Sequence, residues 1–466
     1  MKIFKYILPA ALVSASLVVS SCSDDLEDDI TVVPTEVTSA SLEEGSTVDV
    51  LLHKQFTLKY NHPIVISDAN GVTLNGKPLQ NVKADVCTLT ADLALEPGTD
   101  YTLAIAPGAV TRYGDVGTDP EAYTLKFKTR ALPVIDANLI NPNATAEAKQ
   151  VYAALMSVYG KKALSGTMGE IAWGSDYYDA ITEAAGKAPA VIGFDYIHLA
   201  SSPANWIDYG DITPVKEAWE SGAVPAITWH WNVPRTNKKG AKLDYAVSKF
   251  MPSNVMIEGS WENGVAEADV KKLAGYLKLL QDAKIPVIFR PLHEAAGDYT
   301  NGAWFWWGAE GVDVTKDLWN WLYNKLTNEY GINNLIWEWT MQTNSSGVLA
   351  SNEELAGAYV GNANCDMVGV DLYANDDLWS NFDCWYAVRE AIDGKKMIAL
   401  SECGKLFNPD VAFAKGETWL YFMQWYENIS SAQYGIVNYS PAESWQSVMQ
   451  SPYILDLAGW KTVLGK

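Results

Sequence analysis

The chain has 466 residues, of which 48% are apolar and 19% are charged, and its formal net charge is −22. This composition is that of a globular protein with ample core material, and it excludes a wholly disordered chain. The length predicts about three average domains, or one large barrel with a small module. Because Lys and Arg form no stripe along so acidic a sequence, we expect no nucleic acid partner.

The N-terminus has the pattern of an export signal. Lys2 and Lys5 precede the apolar run Ile7 to Val19, which is too short for a comfortable membrane span. Residues 1–22 are therefore predicted to be a signal peptide, followed by an acidic linker over 23–37. The small residues before Cys22 resemble a bacterial lipobox, in which that cysteine is lipidated after cleavage. An ordinary signal peptide with an incidental cysteine is the alternative.

The charge run that follows Cys22 has a resemblance of its own. Asp24, Asp25, Glu27, Asp28 and Asp29 form a run similar to the acidic signal that sends Bacteroidetes lipoproteins to the outer face of the outer membrane. The resemblance implies an exported lipoprotein that is held at the cell surface by its lipid anchor.

Residues 38–130 show short runs of alternating apolar and polar residues, such as Gln55–Tyr60 and Asp100–Ile105. This alternation is typical of strands with one buried face. Asn75-Gly76 and Pro97-Gly98 mark turns between the runs. About seven short strands predict an all-β sandwich, which resembles the bacterial Ig-like modules found ahead of secreted enzymes. We expect this module to be a spacer, with glycan binding as the alternative.

Residues 131–466 show a different pattern, in which short apolar strands alternate with longer helical segments. The candidate strands are Ala163–Thr167, Ala190–Tyr196, Ala226–Trp231, Pro286–Pro291, Asn334–Thr340, Met367–Tyr373, Lys396–Glu402 and Gly435–Ser440. Eight strand–helix repeats predict the α/β class and a (β/α)8 TIM barrel. A doubly wound open sheet is the alternative, although no Gly-rich phosphate loop follows any of these strands.

Two carboxylates lie where a barrel carries its functional side chains, at the C-terminal ends of strands. Glu294 follows the predicted fourth strand, and Glu402 ends the seventh. Such a pair suits glycoside hydrolysis, in which one acid protonates the leaving oxygen and the other attacks or activates water. The alternative is structural, because a glutamate at a strand end often belongs to a buried ion pair and Arg290 is available to either residue.

The nineteen tryptophans all lie between Trp173 and Trp460. Because aromatic faces stack on the apolar faces of pyranose rings, some of these residues are candidate sugar platforms. Trp231 ends the predicted third strand and Trp445 follows the predicted eighth, so both are expected near the barrel mouth. Other tryptophans must belong to the core, where this residue type is usually well buried.

Several separate motifs, in one order, resemble glycoside hydrolase family 26, most of whose members are endo-β-1,4-mannanases. The resemblance covers roughly residues 145–465. It rests on Phe194–Tyr196, Trp229–Asn232, Glu258–Asn263, Arg290–Glu294, Trp304–Gly308, Asn333–Trp337 and Leu400–Gly404.

The family resemblance implies a retaining mechanism with Glu294 as the acid/base and Glu402 as the nucleophile. It also implies contacts with the sugar or the nucleophile by His230, His293, Trp304 and Tyr373. Further candidate substrate-binding residues are Arg290, Trp231 and Trp445. This two-carboxylate mechanism needs no metal or organic cofactor, and with only five His and no HExxH motif a zinc hydrolase is poorly supported.

The expected substrate is β-mannan, as galactomannan, glucomannan or manno-oligosaccharides. A β-glucanase or β-1,3-xylanase of the same family, or a non-catalytic surface glycan-binding protein, remain alternatives. Endo or exo action depends on loops, of which 233–258 and 295–303 are candidates. The segment 295–303 is longer than is usual in the family, and Glu338 stands where an apolar residue is more typical. Cys365 and Cys384 are predicted to be buried residues, with a disulfide between them as the alternative.

Overall fold

A computed structural model gives the fold and describes residues 33–114, 117–170, 172–295, 302–341, 352–426 and 440–466. The chain divides into two compact units between Ala131 and Leu132. The predicted signal peptide and Cys22 lie outside the described residues. Within the described ranges, no helix combines the length and the apolar content that a membrane span requires.

The N-terminal unit is built from short strands. They are β1 (Val37–Ala40), β2 (Thr47–Val48), β3 (Gln55–Tyr60), β4 (Ile64–Ile66), β5 (Val72–Leu74), β6 (Lys77–Pro78), β7 (Gln80–Asp85), β8 (Thr88–Asp92), β9 (Asp100–Ile105), β10 (Val110–Arg112) and β11 (Tyr123–Thr129). The two main sheets have the orders β1-β3-β8-β7 and β2-β11-β9-β5-β6, and β4 pairs with β10. Side chains of both sheets share one core, which agrees with the predicted all-β module.

The C-terminal unit contains twelve further strands in its described part. They are β12 (Ala163–Leu164), β13 (Gly166–Met168), β14 (Val191–Asp195), β15 (Val224–Trp229), β16 (Val233–Pro234), β17 (Leu243–Asp244), β18 (Val287–Pro291), β19 (Leu335–Met341), β20 (Met367–Leu372), β21 (Ile398–Cys403), β22 (Phe422–Gln424) and β23 (Ile454–Leu455). Eight of them close a parallel barrel in the order β13-β14-β15-β18-β19-β20-β21-β22. The predicted (β/α)8 fold is therefore confirmed.

Helices accompany the barrel strands. They are α1 (Ala146–Val158), α2 (Asp176–Ala185), α3 (Thr213–Ser221), α4 (Pro252–Val255), α5 (Trp261–Asp282), α6 (Val312–Tyr323), α7 (Asn352–Ala358), α8 (Phe382–Ala391), α9 (Pro409–Lys415), α10 (Ala442–Gln450) and α11 (Leu457–Leu464). In α5 the side chains of Leu273, Leu277 and Leu280 are fully buried, as their helical spacing predicts. The Ser260 hydroxyl caps this helix by accepting a hydrogen bond from the Asn263 amide.

The barrel strands are buried along their whole length. Every residue of β14, β15 and β18 is buried, because the strands face side chains in the barrel interior and helices outside. Such strands appear in the sequence as continuous apolar runs, which explains why most of them were predictable without any alternation.

The first and eighth barrel strands differ from the prediction. The run 163–167 is divided between β12, which pairs with β23, and the barrel strand β13. Gly166 permits this arrangement, since a Cβ atom there would lie 2.5 Å from the Phe422 carbonyl oxygen. The eighth strand is β22 and not 435–440, of which only Ser440 is described. β22 is only three residues long and therefore gives a weak signal in the sequence.

Candidate active site

Three carboxylates meet at the C-terminal end of the barrel. Oxygen atoms of Glu294, Asp371 and Glu402 lie within 4.8 Å of one another. Glu402 belongs to β21, Asp371 to the adjacent β20, and Glu294 follows β18 by three residues. The closed barrel therefore brings together the two glutamates that the sequence singled out, and it adds Asp371.

The backbone is irregular where it presents these acids. Leu292 and Glu294 have φ angles of +55° and +48°, a region that residues other than glycine seldom occupy. Between β20 and β21 the register shifts, so that Asp371 pairs with Glu402 and Ser401 is left as a bulge. Successive strand residues normally point to opposite faces, but the bulge lets Ser401 and Glu402 join one network.

Glu402 is held by a donor at each of its oxygens. Arg290 Nη1 donates to Oε1 at 2.7 Å, and the Tyr373 hydroxyl donates to Oε2 at 2.9 Å. The side chain is only 4% exposed, so these donors replace the water that would otherwise solvate its charge. Two charge-assisted hydrogen bonds fix the carboxylate in the orientation that a nucleophile needs.

Arg290 contacts two of these carboxylates and is completely buried. Its Nη2 donates to both Asp371 oxygens at 2.9 and 2.8 Å, and its Nη1 also donates to Thr228 Oγ1 at 2.8 Å. The ion pair with Glu402 that the sequence analysis considered is therefore present. The expectation that Arg290 binds substrate is corrected, because a guanidinium without exposed surface positions Glu402 and Asp371 instead.

Glu338 adjoins the same guanidinium and is also completely buried. The Tyr421 hydroxyl donates to its Oε2 at 2.6 Å, and its Oε1 lies 3.8 Å from Arg290 Nε. Burial raises the pKa of Glu338 above its usual range. Glu338 is thus an ion-pair partner of Arg290, which lies on the adjacent barrel strand.

Glu294 is in a setting that favours its protonated form. Burial, together with the negative charges of Glu402 and Asp371, raises the pKa of Glu294 well above its usual range. Trp304 Nε1 donates to Glu294 Oε2 at 2.8 Å and so fixes the carboxyl group. The predicted Trp304 is thus in direct contact with the predicted acid/base, and its indole is half-buried at the barrel mouth.

Two histidines line the same cleft. His230 Nε2 and His293 Nε2 lie 3.3 Å apart, and His293 Nε2 is 3.9 Å from Glu402 Oε1. Burial and the nearby charges of His230 and Arg290 hold the pKa of His293 well below its usual range. Although burial opposes it, the Asp195 carboxylate 2.6 Å from His230 Nδ1 raises the pKa of His230.

The predicted platforms Trp231 and Trp445 belong to the core. Trp231 is 1% exposed and stacks on Trp229 with ring centroids 4.1 Å apart. Trp445 is 0% exposed in α10 and donates a hydrogen bond to Gln424 Oε1 at 3.1 Å. The expectation that either ring meets a sugar is corrected, because both rings are covered by protein.

Other aromatic rings lie near His230 at the barrel mouth, where Trp231 and Trp445 were expected. Trp425 directly follows β22, is half-buried, and has its ring centroid 5.7 Å from that of His230. Tyr245 belongs to the segment between β17 and α4. Its ring is exposed, and its centroid lies 5.3 Å from that of the His230 ring. Trp425 was missed because the eighth strand was placed too late in the chain.

Asp195 and Asp371 were also missed as functional residues. Asp195 lies one residue and Asp371 two residues before the end of a predicted strand, and that position was the available signal. Their partners His230 and Arg290 are 35 and 81 residues away in sequence, so the pairing itself left no local trace.

Known proteins share this barrel. The sequence matches glycosyl hydrolase family 26 over residues 140–445. A mannan endo-1,4-β-mannosidase of Thermothelomyces thermophilus is 33% identical over 70% of this chain and 64% of its own. Mannan endo-1,4-β-mannosidase B of a Piromyces species is 29% identical over 82% and 66%, so the chain spans slightly less than two thirds of either relative.

Solved structures agree with these sequence matches. The family 26 domain of a Prevotella bryantii endo-β-mannanase/endo-β-glucanase is 34% identical, with a TM-score of 0.61, over 70% of this chain and 99% of that domain. A β-mannanase from a symbiotic protist of the termite Reticulitermes speratus, complexed with a gluco-manno-oligosaccharide, is 29% identical with a TM-score of 0.61, over 70% and 98%. The present chain belongs to glycosyl hydrolase family 26.

Proposed function

We propose that the chain is a retaining endo-β-1,4-mannanase that cleaves β-mannan with Glu402 as nucleophile and Glu294 as acid/base. The observation that carries the proposal is the approach of Glu294 and Glu402 to within 4.8 Å. Retaining glycosidases have carboxyl groups about 5–5.5 Å apart, whereas inverting enzymes leave about 6.5–9.5 Å for a water molecule. The separation therefore favours direct attack by Glu402.

In the first step, a Glu402 oxygen attacks the anomeric carbon and the glycosidic C–O bond breaks. Glu294 gives its proton to the departing sugar oxygen, so the leaving group departs as an alcohol. Arg290 and Tyr373 hold the attacking carboxylate by their hydrogen bonds of 2.7 and 2.9 Å. The product of this step is a covalent glycosyl-enzyme ester and an ionised Glu294.

In the second step, water replaces Glu402 at the anomeric carbon. Once Glu402 is an ester it carries no charge, so one of the repulsions that raise the pKa of Glu294 disappears. Glu294 stays ionised more readily and accepts the proton of the attacking water. Two displacements at one carbon restore the original anomeric configuration.

The assignment of β-mannan as substrate is supported by the two curated relatives, both named as mannan endo-1,4-β-mannosidases. The half-buried rings of Trp304 and Trp425 at the mouth offer flat apolar faces to neutral pyranoses. A net charge of −22 also suits a neutral polysaccharide better than an acidic one.

The test of substrate and stereochemistry uses the purified protein on galactomannan, glucomannan, lichenan and β-1,3-xylan. New reducing ends and a rapid fall in viscosity are expected with the mannans, because an endo-enzyme cuts within the chain. Proton NMR of the first product should show the β-anomer. Cleavage of lichenan or xylan alone, or an initial α-anomer, would contradict the proposal.

The roles of the two acids can be separated with aryl β-mannosides. Glu402→Ala should lower turnover by about 10⁴-fold on every substrate, because the nucleophile is gone. Glu294→Ala should lose about 10²- to 10⁴-fold on mannan but form the glycosyl-enzyme normally from a dinitrophenyl mannoside, whose leaving group needs no proton. If Glu294→Ala slowed formation of the glycosyl-enzyme equally on both substrates, Glu294 would not be the acid.

We further propose that the chain is an exported lipoprotein, anchored at the outer membrane through Cys22 and facing the cell surface. Support comes from the apolar run before Cys22 and the acidic run after it. Expression of the full chain with labelled fatty acid should label the protein, and Cys22→Ala should abolish the label. A protein that stays unlabelled and is released in soluble form would identify an ordinary signal peptide instead.

A further inference from the structure

A basic segment follows the third barrel strand of this acidic chain. Residues 233–249, which we call the basic loop, hold five cations and one acid and so carry a net charge of +4, whereas the whole chain carries −22. The loop contains the β16–β17 hairpin and the segment directly after it. Loops that follow barrel strands form the face of the barrel that carries the active site. The basic loop therefore lies on the catalytic face.

Backbone hydrogen bonds bring the cations of the basic loop together in space. The Arg235 amide donates to the Lys242 carbonyl at 3.0 Å, and the Lys249 amide donates to the Arg235 carbonyl at 3.2 Å. These three residues are thus neighbours, although they are up to 14 positions apart in the sequence. Lys238 and Lys239 lie at the tip of the hairpin, between β16 and β17.

Most of the positive charge of the basic loop is not neutralised by the protein. Asp244 Oδ2 lies 3.1 Å from Arg235 Nη1 and 3.2 Å from Lys242 Nζ, so one carboxylate serves two cations. The other three cations are exposed and form no ion pair with the described part of the chain: Lys238, Lys239 and Lys249. Three ammonium groups are therefore open to an anion from solution.

The basic loop is joined to the catalytic centre by backbone pairing. The Trp306 amide donates to the Tyr245 carbonyl at 2.9 Å, and the Val247 amide donates to the Trp304 carbonyl at 2.9 Å. The Trp304 indole in turn donates to Glu294, the proposed acid/base. The segment after the hairpin thus pairs with the wall of the cleft, which places the exposed cations at the rim.

We propose that the basic loop binds a carboxylate carried by the polysaccharide, so that the substrate class includes mannans that bear uronic acid residues. The inference rests on the proposed function and deepens it: the neutral main chain occupies the cleft, and the acidic group stays outside at the rim. A lysine ammonium donates charge-assisted hydrogen bonds to a carboxylate. Because a chain of net charge −22 repels acidic polymers as a whole, a local group of cations is needed to hold such a substituent.

The connection to the cleft favours a tethered anion over a free one. Single ion pairs at a protein surface are weak and are screened by salt. A carboxylate on a sugar chain that already occupies the cleft stays near the lysines at a high effective concentration, so weak contacts add to the binding. Five cations on one short loop are also too few and too local to follow a nucleic acid backbone.

The experiment compares neutral glucomannan with the same polymer lightly oxidised at C6, which converts some of its hexoses into uronic acids. The double variant Lys238→Gln with Lys239→Gln removes two exposed cations from the basic loop. The matched control is Lys161→Gln with Lys162→Gln, an adjacent pair that precedes β12 at the opposite end of the barrel. Both double variants change the net charge equally, so the control reports any effect of overall charge.

At low salt, Lys238→Gln with Lys239→Gln should lower kcat/KM on the oxidised polymer about three- to tenfold, through a higher KM. Activity on neutral glucomannan should stay at the wild-type level, and the loss on the oxidised polymer should disappear near about 0.5 M salt. The control pair should match the wild type on both polymers. An equal loss on both polymers, no loss on the oxidised polymer, or the same loss in the control would overturn the proposal.

Failure of the proposed function has a different outcome. A wild-type protein that cleaves neither polymer would refute the mannanase. Titration calorimetry with the oxidised polymer in a Glu402→Gln background would still test the loop, because it requires no turnover; weaker binding after the Lys238 and Lys239 substitutions is expected. If those substitutions abolished binding to phosphatidylglycerol vesicles and left binding of the oxidised polymer unchanged, the loop would serve a membrane surface and the proposal would be wrong.

Discussion

The two units of this chain bury different kinds of side chain. Among the buried residues described in the N-terminal unit, Asp49 is the one that carries a formal charge. The barrel buries many more, and those at its mouth are Asp195, Arg290, Asp371 and Glu402. Removing a charge from water costs several kcal/mol unless the charge is paired. The barrel therefore needs paired partners for many buried charges, whereas the N-terminal unit buries few. The difference locates the chemistry in the barrel.

The same difference explains why Arg290 is central. One guanidinium contacts Glu402 and Asp371 directly and lies 3.8 Å from Glu338, so three acids share one cation. Together with the raised pKa of Glu294, which disfavours a further negative charge, this arrangement limits the net negative charge of the site. A site of this kind sets ionisation states by mutual contact and not by solvent.

The largest effect that would test this comparison is expected from Arg290. Arg290→Met should lower kcat about 10²- to 10³-fold, because Glu402 loses a charged donor, and it should destabilise the barrel by about 3–5 kcal/mol by leaving buried acids unpaired. Steady-state kinetics and denaturant unfolding measure the two effects. Arg290→Lys keeps the charge and should lose less. A fully active and stable Arg290→Met would show that the buried charges are independent of one another.

The second effect concerns pH. The raised pKa of Glu294 favours the protonated form that a general acid needs, so kcat/KM should fall as the pH rises through that pKa. In Glu402→Gln a negative neighbour is gone, and the pKa of Glu294 should fall, as carbon-13 NMR of labelled glutamate would show. An unchanged pKa would mean that burial and Asp371 raise it without Glu402, and the coupling between the two glutamates would be refuted.

A smaller effect is expected at Glu338. Glu338→Gln keeps the acceptor for Tyr421 and should change kcat/KM by less than about tenfold. Glu338→Leu removes the acceptor of the buried Tyr421 hydroxyl. The loss of this hydrogen bond should lower the free energy of unfolding by about 1–3 kcal/mol. The double variant Glu338→Leu with Tyr421→Phe should recover part of this loss. Equal stability of Glu338→Leu and the wild type would show that the hydrogen bond contributes nothing.

The smallest effect on activity is expected from the N-terminal unit. Phe56 is fully buried in its core, and Phe56→Ala should destabilise that unit by about 3–5 kcal/mol. Cleavage of soluble manno-oligosaccharides should remain within about twofold of wild type, since no residue of the proposed mechanism lies before Ala131. Calorimetry and an oligosaccharide assay of the same preparation would check both statements. A tenfold loss of activity would break the separation of roles between the units.

Much of the fold was predictable from local patterns. Continuous apolar runs such as 190–196 gave the barrel strands, and the spacing of Leu273, Leu277 and Leu280 gave the buried face of α5. The short β22 was not predictable, because three residues carry too little periodicity to distinguish a strand. That error moved Trp445 to the mouth in the prediction and left Trp425 unnoticed.

The sequence by itself determined which chemistry is available and roughly where, because a parallel barrel gathers all its strand ends at one face, whatever the details of packing. Glu294 and Glu402 needed only to be recognised at two such ends. The tertiary structure decided what surrounds them: that Arg290 and Tyr373 hold Glu402, that Asp195 pairs with His230, and that Trp231 is covered. These relations join residues far apart in the chain, and burial and charge coupling depend on such neighbours and not on local sequence.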